Sequence, residues 1–235
     1  MTRDKSPIVA RIKKAGAVAI LRTETAERAL GAAKAVIAGG FRIIEITYGV
    51  PKATGVISQL RRENRGLLIG AGTVLTREQA NDAIDAGAEF LVSPCVIPEM
   101  MEVGRERGIA TIPGAFTPTE IHTAWALGAD IVKIFPAVAN GPDYLKALRG
   151  PLPNIPIMPT SGVNIGNVAD WFRAGAVAVG AVGSVLDPAL IQNGEWDALT
   201  ARARDFLEAV ERARCSGVST SADIGCHRPP LQIKR

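Results

Sequence analysis

The sequence is poor in the residues that build metal centres and disulfide frameworks. Among its 235 residues only His122 and His227 are histidine, and only Cys95, Cys215 and Cys226 are cysteine. Two histidines argue against a histidine-rich metal site, and three cysteines without ligand spacing argue against a thiolate one. An odd cysteine count also suits a reducing compartment better than a disulfide scaffold. No apolar run reaches bilayer-spanning length, and the opening MTRDKSPIVARIKKAG lacks the apolar stretch of a signal peptide. A cytoplasmic location with no membrane partner is therefore expected. Excess charge is scarce too. Lys and Arg exceed Asp and Glu by four, and the segment after Arg214 supplies two of these through Arg228, Lys234 and Arg235 against Asp223. The rest is nearly neutral, so a pI of about 9.1 gives no reason to expect nucleic acid.

What the chain does have is apolar residues in short runs. At 24.7 kDa with 47% hydrophobic and 21% charged residues, it is large enough for one α/β domain with a sizeable core. Strands are predicted at Val18–Leu21, Ile43–Thr47, Leu68–Gly72, Phe90–Ser93, Ala110–Ile112, Ile131–Phe135, Ile157–Pro159 and Ala176–Val179. Their Val/Ile/Leu/Ala character suits parallel strands covered on both faces, with helices as crossovers. Thr117-Pro118-Thr119-Glu120 reads as an N-cap, an N1 proline and a capping-box glutamate, and Thr76 as a second cap. Gly39, Gly87, Gly128 and Gly175 stand where helices stop before strands, in the place of a left-handed C′ residue. Eight such units predict a single-domain (β/α)8 TIM barrel over residues 1–214, with a doubly wound open sheet as the alternative. Residues 215–235, rich in Ser, Gly and Pro, break the helical period and are expected to form a disordered or loosely packed tail.

Within GADIVKIFPA one lysine, Lys133, interrupts a strand otherwise apolar. Burial disfavours an ammonium, so a lysine in such a place is a candidate reactive amine. Alternation puts Ile131, Lys133 and Phe135 on one face. The same rule puts Glu45 and Thr47 on one face with Ile43, and Arg22 on the face of Val18 and Ile20. In a barrel these three ionisable groups converge at the C-terminal ends of the strands, where such folds place their chemistry. A structural Lys133–Glu45 ion pair is the competing reading, but buried pairs contribute little net stability. For Arg22 a solvated strand-end charge is the competitor, for Thr73 and Thr160 a simple capping role. Cys95 reads as a small loop residue, His122 as helix surface, and Trp171 and Phe172 as helix packing. Late in the chain, Pro159–Asn164 and Gly180–Ser184 are glycine-bearing turns after strands seven and eight. Loops at these positions commonly bind phosphate through backbone N–H groups and hydroxyls.

The ordered motifs GGFRIIEIT, IGAGTVLT, GAEFLVSP, IPGAFTPTE, GADIVKIFPA, PTSGV and the GAVGS turn cover about Ile12 to about Arg214. In these the chain resembles the class I 2-keto-3-deoxy-6-phosphogluconate (KDPG) aldolases, also active on 4-hydroxy-2-oxoglutarate (KHG). The resemblance implies a Schiff-base lysine at Lys133 and an acid/base glutamate at Glu45. It implies a pyruvate site lined by Thr73 and Thr160 with Pro94 and Phe135 as walls, and a phosphate end at Ser161, Gly162, Gly183 and Ser184. The substrate would be a keto-acid phosphate, with no metal, no organic cofactor and a homotrimeric assembly. KDPG would yield pyruvate and glyceraldehyde 3-phosphate, and KHG pyruvate and glyoxylate. Three departures stand out. Gly49 replaces an arginine that clamps the substrate carboxylate in some members, which leaves Arg22 to take that role. Ser161 replaces a usual glycine. Thr160 stands where the related phosphogalactonate aldolases tend to be apolar, which favours KDPG. The rival readings are a phosphogalactonate aldolase, a phosphosugar isomerase or synthase, and a non-catalytic phosphometabolite-binding barrel.

Overall fold

The structure, a computed structural model, describes residues 5–216. Short parallel strands alternate with helices in the order α1 (Ser6–Ala15), β1 (Ala17–Leu21), α2 (Ala26–Ala38), β2 (Ile43–Thr47), α3 (Ala53–Glu63), β3 (Leu68–Gly72), α4 (Arg77–Asp85), β4 (Phe90–Val92), α5 (Pro98–Arg107) and β5 (Ala110–Ile112). They continue through β6 (Gly114–Ala115), α6 (Pro118–Ala126), β7 (Val132–Ile134), α7 (Gly141–Leu148), β8 (Ile157–Pro159), α8 (Val168–Arg173), β9 (Val179–Ala181), α9 (Pro188–Asn193) and α10 (Trp196–Ser216). No helix among the described residues is long and apolar enough to cross a membrane.

The strands form a six-stranded sheet in the order β5-β4-β3-β2-β1-β9 and a three-stranded sheet in the order β6-β7-β8. A parallel bridge between Thr160 and Gly180 joins β8 to β9. At the other seam only Pro113 separates β5, paired with β4, from β6, paired with β7. Proline has no N–H to give a ladder, so β5 ends at Ile112, as the sequence indicates, and a short β6 that the sequence reading did not include follows it. Here Gly114 also lets the Pro94 carbonyl approach: a β-carbon at Gly114 would lie 2.2 Å from it.

Alternation along each strand separates two apolar clusters. Ala19, Leu21, Ile44, Ile46, Ile69, Leu91, Val132, Ile134 and Ile157 point outward into the large cluster under the helices. Val18, Ile20, Ile43, Leu68, Phe90, Val92, Ile131 and Met158 point to the opposite face, where Ile8 and Ile12 of α1 join them. Fully burying a side chain such as Ile12 contributes roughly 1.5–3 kcal/mol, so α1 is held by this second cluster. Local signals set the helix ends. Thr117 and Glu120 make both halves of the capping box, and the Thr25 and Thr76 hydroxyls accept from N3 amides.

Three expectations need correction. The last strand is Val179–Ala181, not Ala176–Val179, because pairing of Ala17 with Val179 and Ala19 with Ala181 selects the register in a run of Ala, Val and Gly with no polar marker. At the AGG turn the left-handed residue is Gly40, with φ +113°, while Gly39 keeps a helical φ of −70°. Gly39 serves close packing instead, since a β-carbon there would lie 2.5 Å from that of Ala203. Helix α10 runs to Ser216, two residues past the boundary drawn at Arg214, and the tail expected beyond it, with Cys226 and His227, lies outside the described residues.

Candidate active site

Lys133 occupies the centre of β7, between the outward Val132 and Ile134, with its backbone N–H bonded to the Pro113 carbonyl (2.9 Å). It is 6% exposed, and its ammonium lies 5.0 Å from the centroid of the Phe135 ring. Burial pulls its pKa down, partly opposed by Glu45 and aided by Arg22. Glu45, on β2, is fully buried. Burial pushes its carboxyl up, against the pull of Lys133 and Arg22. Neither Glu45 oxygen has a hydrogen-bond partner among the described residues. A structural ion pair would close that contact, so the pair is poorly explained as a device for stability.

Arg22 follows β1 and is largely exposed, yet it faces the same centre: its guanidinium reaches the Thr73 hydroxyl at 3.4 Å. Thr73 takes φ +56° just after β3, an uncommon conformation for a residue with a β-carbon. The Thr47 hydroxyl donates to the Leu21 carbonyl (3.0 Å) and ties the ends of β1 and β2 together. At Gly49 a β-carbon would lie 3.9 Å from Arg22 Cγ, so the Arg22 stem passes beside the position where an arginine is absent. Next to Gly49, Tyr48 donates its hydroxyl to the Gln79 carbonyl (2.7 Å), and burial with Asp82 and Glu78 nearby pushes its pKa up to about 12.

The far side of the centre is formed by β8 and the segments after β4 and β7. Thr160 is buried, its N–H bonded to the Ile134 carbonyl (3.0 Å) and its carbonyl to the Ala137 N–H (2.9 Å), while its hydroxyl has no partner. Pro94 and Phe135 are half-buried, and the Phe135–Pro136 peptide is cis. Beyond Thr160, Ser161 and Gly162 take φ +72° and +90°. Asn167 donates to the Gly162 carbonyl (2.8 Å) and fixes this turn. In the loop after β9, Val185 and Leu186 both donate to the Val182 carbonyl. The N–H groups of Gly162, Gly183 and Ser184 bond to nothing among the described residues, and the Ser184 hydroxyl is buried without a partner. Because Thr160 bridges to Gly180, these two turns are neighbours. Free N–H groups and hydroxyls gathered on adjacent turns are the donors an anion requires. Among the described residues no group of three or more His, Cys, Asp or Glu is placed to hold a metal ion.

The family model for KDPG and KHG aldolase matches residues 8–202. The chain belongs to the KDPG and KHG aldolase family. It is 34% identical over 85% of its length to the 2-dehydro-3-deoxy-phosphogluconate aldolase of Treponema pallidum, covering 95% of that protein. It is 38% identical over 74% of its length to a probable 2-dehydro-3-deoxy-6-phosphogalactonate aldolase of Rhizobium meliloti, covering 82% of it. Among solved structures, it superposes with a TM-score of 0.78 on KDPG aldolase from Legionella pneumophila with pyruvate captured as a covalent carbinolamine, at 30% identity, covering 84% of this chain and 97% of that one.

Most residues singled out in the sequence of this aldolase come together at the C-terminal ends of the strands. Cys95 is an exposed loop residue, His122 lies on the surface of α6 and Trp171 is buried in helix packing, as their plain readings have it. Sequence reasoning missed Gly72. An isolated glycine at a strand end signals a close approach, and here it marks the Glu45 carboxyl: a β-carbon at Gly72 would lie 1.9 Å from Oε1.

Proposed function

We propose that this chain is a class I aldolase that cleaves KDPG to pyruvate and glyceraldehyde 3-phosphate, and KHG to pyruvate and glyoxylate, through an imine on Lys133. The observation that carries this reading is the buried Lys133 beside a buried Glu45 whose oxygens have no hydrogen-bond partner among the described residues. The depressed amine is a nucleophile for the C2 ketone. Burial favours the protonated form of the Glu45 carboxyl, and in this scheme it gives that proton to the departing carbinolamine hydroxyl, leaving an iminium and water. As carboxylate it then takes the C4 hydroxyl proton while the C3–C4 bonding pair moves toward the iminium. The aldehyde leaves, and the pyruvate enamine remains. Glu45 returns the proton to C3, recovers one from the water that adds to the imine, and pyruvate departs from Lys133. No metal or organic cofactor enters this scheme.

In this reading Arg22, held against Thr73, receives the substrate carboxylate, Pro94, Phe135 and Thr160 line the pyruvate end, and the amides and hydroxyls of Ser161, Gly162, Gly183 and Ser184 receive the phosphate. The scaffold is a closed (β/α)8 barrel forming a single domain. The sequential neighbour order within each sheet, the Thr160–Gly180 bridge and the single residue, Pro113, between β5 and β6 support closure. The family resemblance supports a homotrimer, and the cysteine usage and lack of a long apolar run support a cytoplasmic location. Borohydride reduction in the presence of pyruvate, followed by peptide mass spectrometry, tests the chemistry. A reduced adduct on Lys133 is expected, and none in an intact protein sinks it; an adduct without cleavage favours a binding protein. The phosphogalactonate reading has a probable enzyme of that kind among its relatives in its favour. Kinetics with the two C4 epimers separate these readings, and Thr160, at a position that tends to be apolar in the phosphogalactonate aldolases, favours KDPG.

A further inference from the structure

We infer that Arg202 on α10 is a positioning residue for the phosphate end, acting through Ser184. One terminal nitrogen of its guanidinium donates to the Ser184 carbonyl (3.1 Å), and the other lies 3.5 Å from Asp187 Oδ2. The second oxygen of Asp187 caps α9 by accepting from the Ala189 N–H (2.9 Å). The Val182 carbonyl closes the turn from inside by accepting from Val185 (3.0 Å) and Leu186 (2.7 Å). Held from both sides, the loop has its carbonyls engaged at Val182 and Ser184 and its N–H groups unengaged at Gly183 and Ser184. Those unengaged groups, with the buried and unpartnered Ser184 hydroxyl, are what the loop has to offer an anion.

The aim of Arg202 is set by packing elsewhere. Thr200, two residues earlier, donates to the Ala35 carbonyl of α2 (3.0 Å), and Ala203, one residue later, packs on Gly39. These contacts fix the rotation of α10 and turn Arg202 toward the loop. Among the described residues the buried Arg202 Nε has no partner, a cost that a simple surface ion pair with Asp187 does not explain. A cation behind the loop also favours an anion in front of it.

This role rests on the phosphate reading proposed above, and the test separates the two. Steady-state kinetics of R202M and R202K are compared with wild type on KDPG, which carries a phosphate, and KHG, which does not. R202M is expected to raise KM for KDPG about tenfold, the scale of one misplaced charge-assisted hydrogen bond, with kcat and the KHG kinetics held within about twofold. R202K, which keeps the charge but not the fork, recovers part of the loss. Equal losses on both substrates, or an unchanged KM for KDPG in a folded R202M, overturn the role. If wild type cleaves neither substrate, the aldolase reading fails, and calorimetric binding of inorganic phosphate still decides the matter: weaker binding to R202M supports the role and equal affinity overturns it.

Discussion

Gly72 and Glu45 share one volume: the carboxyl of Glu45 fills the space a side chain at residue 72 would occupy, 1.9 Å from where the β-carbon would stand. G72A is therefore expected to displace Glu45 while leaving Lys133 in place. Misplacing a general acid/base costs about 10²–10⁴-fold in rate, so kcat should fall on that scale. A G72A protein that still forms the reduced pyruvate adduct but cleaves poorly is the expected pattern. Near-wild-type kcat would show that Glu45 does not need its present position.

The opposed shifts of Lys133 and Glu45 predict pH profiles. On the proposed chemistry, activity requires neutral Lys133, whose fraction grows as pH rises through its lowered pKa, and protonated Glu45, which is lost as pH rises through its raised one. The profile of kcat/KM should be bell-shaped. For stability, Glu45 binds a proton in the folded state at pH values where the unfolded chain has released it, so its contribution falls as pH rises from 4.5 through the folded pKa. Lys133 is the reverse: the unfolded chain holds the extra proton, so stability rises with pH from the lowered folded pKa toward 10.5. Denaturant midpoints measured across pH should show E45Q losing the first slope and K133M the second. An unchanged pH dependence in both variants would contradict the burial argument.

Arg22 donates to the Thr73 hydroxyl, and in the proposed site this contact would serve any substrate bearing the pyruvate carboxylate. R22A is expected to reduce kcat/KM for KDPG and KHG alike by about ten- to a hundredfold, the range for a hydrogen bond to a charged group. A β-carbon at Gly49 meets only ordinary contacts. G49R in the R22A background should therefore recover part of the loss. An R22A variant with unchanged Michaelis constants would remove Arg22 from the site.

Thr160, directly after β8, buries a hydroxyl with no partner among the described residues. T160V removes that unsatisfied group at nearly constant shape, which should stabilise the ligand-free protein by about 1 kcal/mol. In a protein of this size that is a rise of about 2–4 °C in the calorimetric midpoint. The same variant should lose discrimination between the C4 epimers. A higher midpoint with unaltered epimer preference would reduce Thr160 to a structural residue.

Much of this arrangement was legible in the chain. Period-two alternation put Lys133 and Glu45 on the inner faces before any contact was known, because side-chain direction in a strand is a local property. Thr117 and Glu120 announced the start of α6 for the same reason, since a cap satisfies amides within its own turn. Other features were illegible. AGAVAVGAV carries no polar residue to mark its register, and the two-residue β6 at Gly114–Ala115 is too short to show a strand pattern of its own.

The sequence by itself determined the succession of strands and helices, the inward direction of Lys133 and Glu45, and the turns after β8 and β9, since backbone periodicity, capping and glycine placement act over a few residues. Tertiary structure alone decided that β9 pairs from Val179, that Gly72 makes room for Glu45, that Arg22 rests on Thr73 beside Gly49, and that Arg202 grips Ser184. Each of these joins residues on different elements, and close packing between elements, which no local pattern encodes, sets the distance between them.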